Sequence, residues 1–288
     1  TIEKKLRRFG YVFMAPWILG LVFFFIIPFC NSMMYSFNQV SLGSEGLEFR
    51  FLGWDNYRFV LLEDADFVRG VTEQVAGLAS NVPIILIFSV FIAALLNQKF
   101  RGRLFARSLF FIPVIIASGL VIEVIQNDVF TNNGMRTAED AIFQVGVVQN
   151  LLENMDVGED IIRFLTSITT RIFDLTWKSG VQILLFLSAF QRIPPTYYEV
   201  ASVEGANAWE AFWKITFPAI SPMCLLVTVY TIIDTFTDQA NQVMSTIIDR
   251  FNDMKYGYAS ASAAVYFVTI LAVLGVVLLI FRKRVQYT

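Results

Sequence analysis

The sequence predicts an all-α, polytopic membrane protein with six transmembrane helices. Hydrophobic residues make up 56% of the 288 residues, charged residues make up only 16%, and phenylalanine occurs 29 times. A typical soluble domain has about half apolar and about a quarter charged residues, so lipid is the expected solvent for much of this chain. A chain of this length holds about six spans of ~20 residues with their loops. We therefore expect a single transmembrane domain over residues 1–288.

Apolar stretches with the length of a membrane span define the predicted helices. A helix is the expected form because it satisfies every backbone hydrogen bond within the segment. The longest polar loops between the spans are 38–74 and 128–171. Apolar residues at helical spacing predict one or two outer helices within the second of these loops, and a disordered connector is the alternative. The predicted spans are residues 11–37, 75–96, 104–127, 172–192, 219–239 and 259–281.

Basic residues mark three segments that we expect on the cytoplasmic side: the N-terminus, the link between the second and third spans, and the C-terminus. Cytoplasmic loops carry an excess of Lys and Arg. An even number of spans places both termini on one side, in agreement with two basic ends. The loops 38–74 and 128–171 are then extracytoplasmic, and 193–218 is cytoplasmic. The basic residues are Lys4, Lys5, Arg7, Arg8, Lys99, Arg101, Arg103, Arg107, Arg282, Lys283 and Arg284.

The composition gives little support to a catalytic or metal site. Histidine is absent, which removes the commonest general base and metal ligand. Cys30 and Cys224 lie in apolar runs without ligand spacing, and we interpret them as buried small hydrophobes. No G-x-x-x-x-G-K-[ST] run occurs, so the chain lacks that nucleotide-binding device. We predict no enzyme activity, no cofactor of its own and no nucleic-acid partner.

The stretch YYEVASVEGANAWEAFWKITFPAISP, between the fourth and fifth spans, predicts two short helices separated by a glycine. Thr196 and Glu199 have capping-box spacing. Gly205 suits the left-handed conformation that ends a helix. Asn207 and Glu210 repeat the helix-start pattern. We expect a rigid hairpin outside the lipid, and its scarcity of basic residues favours a protein groove over an anionic lipid surface. An interfacial helix that holds the spans together is the alternative.

The same stretch resembles the EAA loop of permease subunits in binding-protein-dependent ABC importers. The family pattern is approximately E-A-A-x-x-x-G-A, followed by spaced F, I, P and P. Three mild departures are Val200 for alanine, Glu204 for aspartate and Phe217 for leucine. The matching residues are Glu199, Ala201, Gly205, Ala206, Phe212, Ile215, Pro218 and Pro222.

The resemblance implies the type I permease fold of ABC importers. It also implies that 193–218 is a cytoplasmic coupling loop, docked in a cleft of an ATP-binding subunit that binds ATP and Mg. The segments APWILGLVFFFIIPF and FLGWDNYRFVL resemble the carbohydrate-uptake branch, which is similar to the maltose and oligosaccharide systems. That branch implies a second homologous permease in a heterodimer, an extracytoplasmic solute-binding protein and a bacterial cytoplasmic membrane. The implied coupling residues are Glu199, Ala201, Glu204, Gly205, Ala206 and Phe212.

Polar residues within the predicted spans are candidates for substrate contact, because each costs about 2–3 kcal/mol or more at membrane depth. Sugars bind through hydroxyl-directed carboxylates and amides, together with an aromatic platform. The position of Asp238 near the end of its span favours interfacial solvation over a binding role, and Trp177 also suits the aromatic belt. Asp234, nearly a turn inside its span, is expected to face the bundle interior or water. The candidates are Glu123, Trp177, Gln182, Asp234, Thr235 and Asp238.

These observations favour the transmembrane subunit of an ATP-driven importer that moves a sugar or oligosaccharide by alternating access. A permease of the same class for a non-sugar solute is one alternative. An ion-coupled secondary transporter that uses Glu123 or Asp234 as its ion site is another.

Overall fold

The structure, a computed structural model, describes residues 13–43, 46–98, 100–116, 168, 171–172, 175–238 and 241–282. The described residues are mostly helical, with π-helical turns at Val22–Ile26, Phe59–Glu63 and Phe212–Thr216. The elements are α1 (Phe13–Ser36), β1 (Asn38–Gly43), β2 (Gly46–Phe51), α2 (Asp55–Arg58), α3 (Ala65–Asn97), α4 (Arg103–Ile116), α5 (Gly180–Gln191), α6 (Pro195–Val203), α7 (Ala208–Thr237), α8 (Gln242–Asn252) and α9 (Tyr256–Arg282).

Four helices in the described part of the chain, α1, α3, α7 and α9, are long and apolar enough to cross a membrane. Helix α4 overlaps the predicted span 104–127 and α5 lies within 172–192, and the described part of each is shorter than a span. Residues 117–127 lie outside the described residues, as does nearly all of the outer helix predicted in 128–171. The multi-pass helical character is confirmed, and the count of six spans stays a prediction.

The expectation of an all-α fold is wrong for the loop predicted at 38–74. Strands β1 and β2 pair antiparallel there, from Asn38 opposite Phe51 to Gly43 opposite Gly46. The sequence of β2, GLEFRF, alternates apolar and charged residues, which is the period-two pattern of a strand. The same predicted loop also contains the first ten residues of α3.

Helix α3 begins at Ala65 because Asp64 provides the cap. Its Oδ1 accepts the backbone N–H of Phe67 at 3.0 Å, which satisfies one of the unpaired donors in the first helical turn. The sequence predicts a start at residue 75 because the apolar run begins there. Polar residues therefore extend this helix beyond its apolar stretch.

The chain forms two compact units, Thr1–Ala76 with Phe236–Gly275 and Gly77–Thr235 with Val276–Thr288. In the second unit, helices α3, α5 and α7 share an apolar core. Arg107 of α4 donates to the carbonyl oxygen of Leu96 at 3.0 Å, which satisfies an unpaired acceptor at the end of α3. The buried core residues are Ala93, Leu96, Ile183, Phe186, Leu187, Ala189, Phe190, Ile220 and Val227.

In the first unit, Arg250 of α8 is held by three neighbours. Its guanidinium pairs with Asp64, and both side chains are largely buried. It also donates to the Ser262 hydroxyl and lies 5.5 Å from the ring centroid of Phe67. Burial lowers the pKa of Arg250 from its ordinary value, but a guanidinium remains charged in proteins. Three helices therefore meet around one buried cation.

Asn56 of α2 joins the end of α1 to the start of β1 in the same unit. Its side-chain amide donates to the carbonyl oxygens of Ser36 at 2.9 Å and Asn38 at 3.1 Å. Gly257 approaches this junction so closely that an added Cβ would lie 2.4 Å from the Asn38 oxygen. Only glycine fits at this position without displacement of the backbone.

Gly257→Ala should therefore destabilise the protein by about 1–3 kcal/mol, the usual effect of overpacking. The control is Gly275→Ala in the same helix, because an added Cβ there has no neighbour within 4 Å. Thermal unfolding in detergent should show a lower midpoint for the first variant only. Equal midpoints for the two variants would contradict the close approach.

Candidate functional site

Helix α6 ends in a Schellman motif built on Gly205. The N–H of Ala206 donates to the carbonyl oxygen of Ala201 at 2.9 Å, and the N–H of Gly205 donates to that of Ser202 at 3.2 Å. Gly205 has a φ of 76°, the left-handed conformation that glycine adopts without steric cost. The predicted role of Gly205 as the turn between two helices is confirmed.

The two helix starts of this hairpin differ from each other. The capping box predicted at Thr196 is wrong, because α6 begins at Pro195 and has no side-chain cap. Proline at the first helical position has a preset φ and no N–H to satisfy. The capping box of Asn207 and Glu210 is confirmed. The Asn207 side chain accepts the backbone N–H of Glu210 at 2.9 Å, and the Glu210 side chain accepts the backbone N–H of Asn207 at 3.1 Å.

The two helices of the hairpin are also linked to each other on the side that faces the rest of the chain, its inner side. The Tyr198 and Thr216 hydroxyls are hydrogen-bonded at 2.8 Å, which joins α6 to α7. Ala201 and Thr216 are buried, so Ala201 has a packing position within the chain. Ala206 and Phe212 are half-buried. The hairpin is thus held by a Schellman turn, a capping box and a hydroxyl pair.

The outer side of the hairpin presents an exposed surface, the apex, formed by Glu199, Val200, Val203 and Glu204. Val203 is 88% exposed and Val200 is 57% exposed, and both glutamates are exposed. Apolar side chains in such positions commonly mark interaction sites when they form a patch. The sequence analysis did not include Val203 among the candidate coupling residues. The signal that could have identified it is an apolar residue two positions before a glycine that ends a helix.

A buried polar contact joins α5 to α7 in the second unit. Gln182 is 1% exposed, and its Nε2 donates to the Thr231 hydroxyl at 3.3 Å. One turn further along α7, the Thr235 hydroxyl donates to the carbonyl oxygen of Thr231 at 2.7 Å. Within the described residues, no donor reaches Oε1 of Gln182. Thr231 is thus a member of this polar group that the sequence prediction did not include.

The other predicted substrate residues have different surroundings. Trp177 is half-buried and Asp234 is exposed, and both lie in the second unit. Asp238 is half-buried and lies in the first unit. Glu123 lies outside the described residues. The structure therefore brings Gln182 close to the α7 turn that carries Thr235, and substrate contact by any of the six stays a prediction.

Comparison with known proteins shows what this chain is similar to. Residues 175–287, which include the hairpin, match the family described as binding-protein-dependent transport system inner membrane component. The chain is 29% identical to the probable ABC transporter permease protein YesP of Bacillus subtilis (strain 168), over 99% of this chain and 92% of that protein. It is also 29% identical to the multiple sugar-binding transport system permease protein MsmF of Streptococcus mutans, over 94% of each.

A solved structure shows the same fold. It is that of a bacterial ABC transporter involved in the import of the acidic polysaccharide alginate, with a TM-score of 0.69 and 18% identity over 99% of both chains. The described residues thus have the helical fold of a multi-pass membrane protein, with four helices long and apolar enough to cross a membrane. Residues 175–287 match the family of binding-protein-dependent inner-membrane components, and the relatives support a permease of a carbohydrate ABC importer. The predicted resemblance is confirmed.

Proposed function

We propose that this chain is the membrane subunit of an ATP-driven importer for a sugar or oligosaccharide, and that the apex couples it to a cytoplasmic ATP-binding subunit. The observation that carries the proposal is a hairpin fixed on its inner side, with Val203 88% exposed at its outer end. A rigid hairpin can transmit the movement of a partner to α7, whereas a flexible one would absorb it. The family match across this segment supports the assignment.

The partner subunit binds ATP and Mg and changes shape as ATP binds and is hydrolysed. It can shift the permease between inward-open and outward-open states only through contacts that differ between those states. The apex supplies the contact, and α7 carries the displacement into the membrane. A second homologous permease completes the pathway as a heterodimer, and an extracytoplasmic binding protein delivers the sugar. Both termini then lie in the cytoplasm of a bacterial cell.

Val203→Asp tests the coupling role. It adds a third carboxylate beside Glu199 and Glu204, and burying an unpaired charge in an interface is strongly unfavourable. The assay uses vesicles that contain the whole transporter. We expect the stimulation of ATP hydrolysis by loaded binding protein to fall roughly tenfold or more, the equivalent of about 1.4 kcal/mol of contact energy.

Val203→Thr is the matched control, because it keeps the shape of the side chain without a charge. It should keep most of the stimulation. Full stimulation in Val203→Asp would refute the coupling role of the apex. Uptake that follows an ion gradient and needs no ATP would favour the ion-coupled alternative.

The buried amide of Gln182 is the proposed substrate contact that the geometry supports best. Its Oε1 lacks a donor among the described residues, and leaving a buried acceptor unpaired costs about 1–3 kcal/mol. A sugar hydroxyl can donate to this oxygen when the spans move apart during transport. Trp177 and Asp234 lie in the same unit and are proposed to contribute an aromatic surface and a carboxylate.

Gln182→Leu should raise the half-saturating sugar concentration about tenfold, the effect of losing about 1.4 kcal/mol of binding, with the protein still assembled. Thr231→Val is the control, since it removes the partner of Nε2 but retains the amide. The measurement is sugar uptake into vesicles over a range of concentrations. An unchanged half-saturating concentration in Gln182→Leu would mean that the Gln182 amide contributes to packing and does not contact the sugar.

A further inference from the structure

We propose that the start of α7 is an anchor that lies in the lipid headgroup layer. The aromatic cluster is defined as Trp209, Phe212, Trp213 and Phe217. Its ring centroids are separated by 5.6 Å between Trp209 and Trp213, 5.3 Å between Phe212 and Trp213, and 5.1 Å between Trp213 and Phe217. The π-helical turn Phe212–Thr216 brings Phe217 beside Phe212. The cluster is therefore one continuous apolar surface.

This surface is only partly covered by the described part of the chain. Trp209 is 70% exposed, Trp213 is 45% exposed and Phe217 is 39% exposed. The three residues recur every four positions, so they follow one side of the helix. In the membrane, large apolar side chains exposed together contact lipid, another protein or water.

The length of α7 favours lipid headgroups. The helix has 30 residues, about 45 Å at ~1.5 Å per residue, whereas the hydrocarbon core is about 30 Å thick. Its apolar run from Phe217 to Ile233 is closed by Asp234 and extends for about 25 Å. Trp213 and Trp209 then lie about 6 Å and about 12 Å beyond Phe217. Trp213 falls in the headgroup layer, and Trp209 falls at its outer edge.

The chemistry of the cluster agrees with this position. Tryptophan is enriched at both membrane–water interfaces, because its ring is apolar and its N–H is polar. Lys214, next to Trp213, is 75% exposed and has only a weak ion pair with Glu210, at 3.8 Å. Its ammonium group can reach a lipid phosphate while its methylene stem follows the apolar surface. The cluster thus sets the depth of the hairpin independently of any protein docked at the apex.

Quenching of tryptophan emission by brominated lipid tests the proposal. The chain has five tryptophans, so Trp17, Trp54 and Trp177 are replaced by phenylalanine together with either Trp209 or Trp213. Each full-length protein is reconstituted in phosphatidylcholine vesicles whose chains carry bromine near the headgroup or near the chain end. We expect Trp213 to lose emission, more strongly with the shallow bromine, and Trp209 to lose less.

A tryptophan introduced by Val203→Trp, with all five native tryptophans replaced, is the matched control on the same hairpin. It should be quenched by aqueous iodide and not by either lipid. If the multiple variants do not fold, the difference in quenching between the native chain and Trp213→Phe gives the same comparison. Quenching of Trp213 by iodide without quenching by bromine would overturn the proposal. So would shielding of Trp213 from both quenchers once the ATP-binding subunit is bound, which would make that subunit the occupant.

Discussion

Replacement of Gly205 by valine should strongly reduce ATP-coupled transport while leaving the chain in the membrane. Gly205 has a φ of 76°, which a β-branched residue adopts only as a rare, strained outlier. An added Cβ would meet no neighbour within 4 Å, so the effect is on the backbone rather than on packing. Strain of about 1–3 kcal/mol would be relieved by opening the turn, and the apex would then lose its orientation.

The matched control is Gly205→Asn, because asparagine tolerates the left-handed conformation and also occurs at this position of helix ends. Stimulated ATP hydrolysis and sugar uptake should fall by roughly 5- to 150-fold in the valine variant, the range that 1–3 kcal/mol of coupling energy represents. The asparagine variant should keep most of both activities. Hydrolysis that responds normally in Gly205→Val would mean that the hairpin is not the coupling element.

Arg250→Met should have the largest effect on stability, a loss of about 3–5 kcal/mol, because it leaves the buried carboxylate of Asp64 without its cation. The side chains of the pair are only 15% and 11% exposed. The variant also removes the hydrogen bond to Ser262 and the cation over the Phe67 ring. Thermal unfolding in detergent should therefore occur at a markedly lower temperature.

Two further variants isolate the cause of that loss. Asp64→Asn combined with Arg250→Met removes both charges and should recover part of the stability, since a buried pair costs more when it is broken than when it is replaced. Lys255→Met removes an exposed pair with Asp253, whose side chains are 58% and 61% exposed, and should cost at most about 1 kcal/mol. Equal losses in Arg250→Met and Lys255→Met would contradict a role for burial.

Local rules predicted the parts of the hairpin that depend on neighbouring residues. Gly205 and the pair Asn207 and Glu210 act within one turn of the helix, so their spacing was sufficient. The start of α6 was misplaced because Pro195 begins the helix one residue before the predicted capping threonine. The β-hairpin was missed because its alternating strand, at Gly46–Phe51, lies inside a segment interpreted only by its polarity.

Contacts between distant parts of the chain could not be predicted in this way. Nothing near Asp64 in the sequence indicates that it pairs with Arg250, and nothing near Gly257 indicates that the Asn38 carbonyl lies against it. The sequence does not distinguish Thr231 from the other threonines of its apolar span, and only the structure shows that Gln182 lies beside it. Tertiary packing, rather than local propensity, selects these residues.

The most direct test of the account is a photo-cross-link from position 203 in the assembled transporter. A benzophenone side chain replaces Val203, and the same group replaces Phe51 as the control, because Phe51 is 76% exposed and is predicted to lie on the opposite side of the membrane. We expect position 203 to cross-link to the ATP-binding subunit and position 51 to give no such product. A transporter that hydrolyses ATP normally but yields no cross-link between position 203 and that subunit would contradict the account.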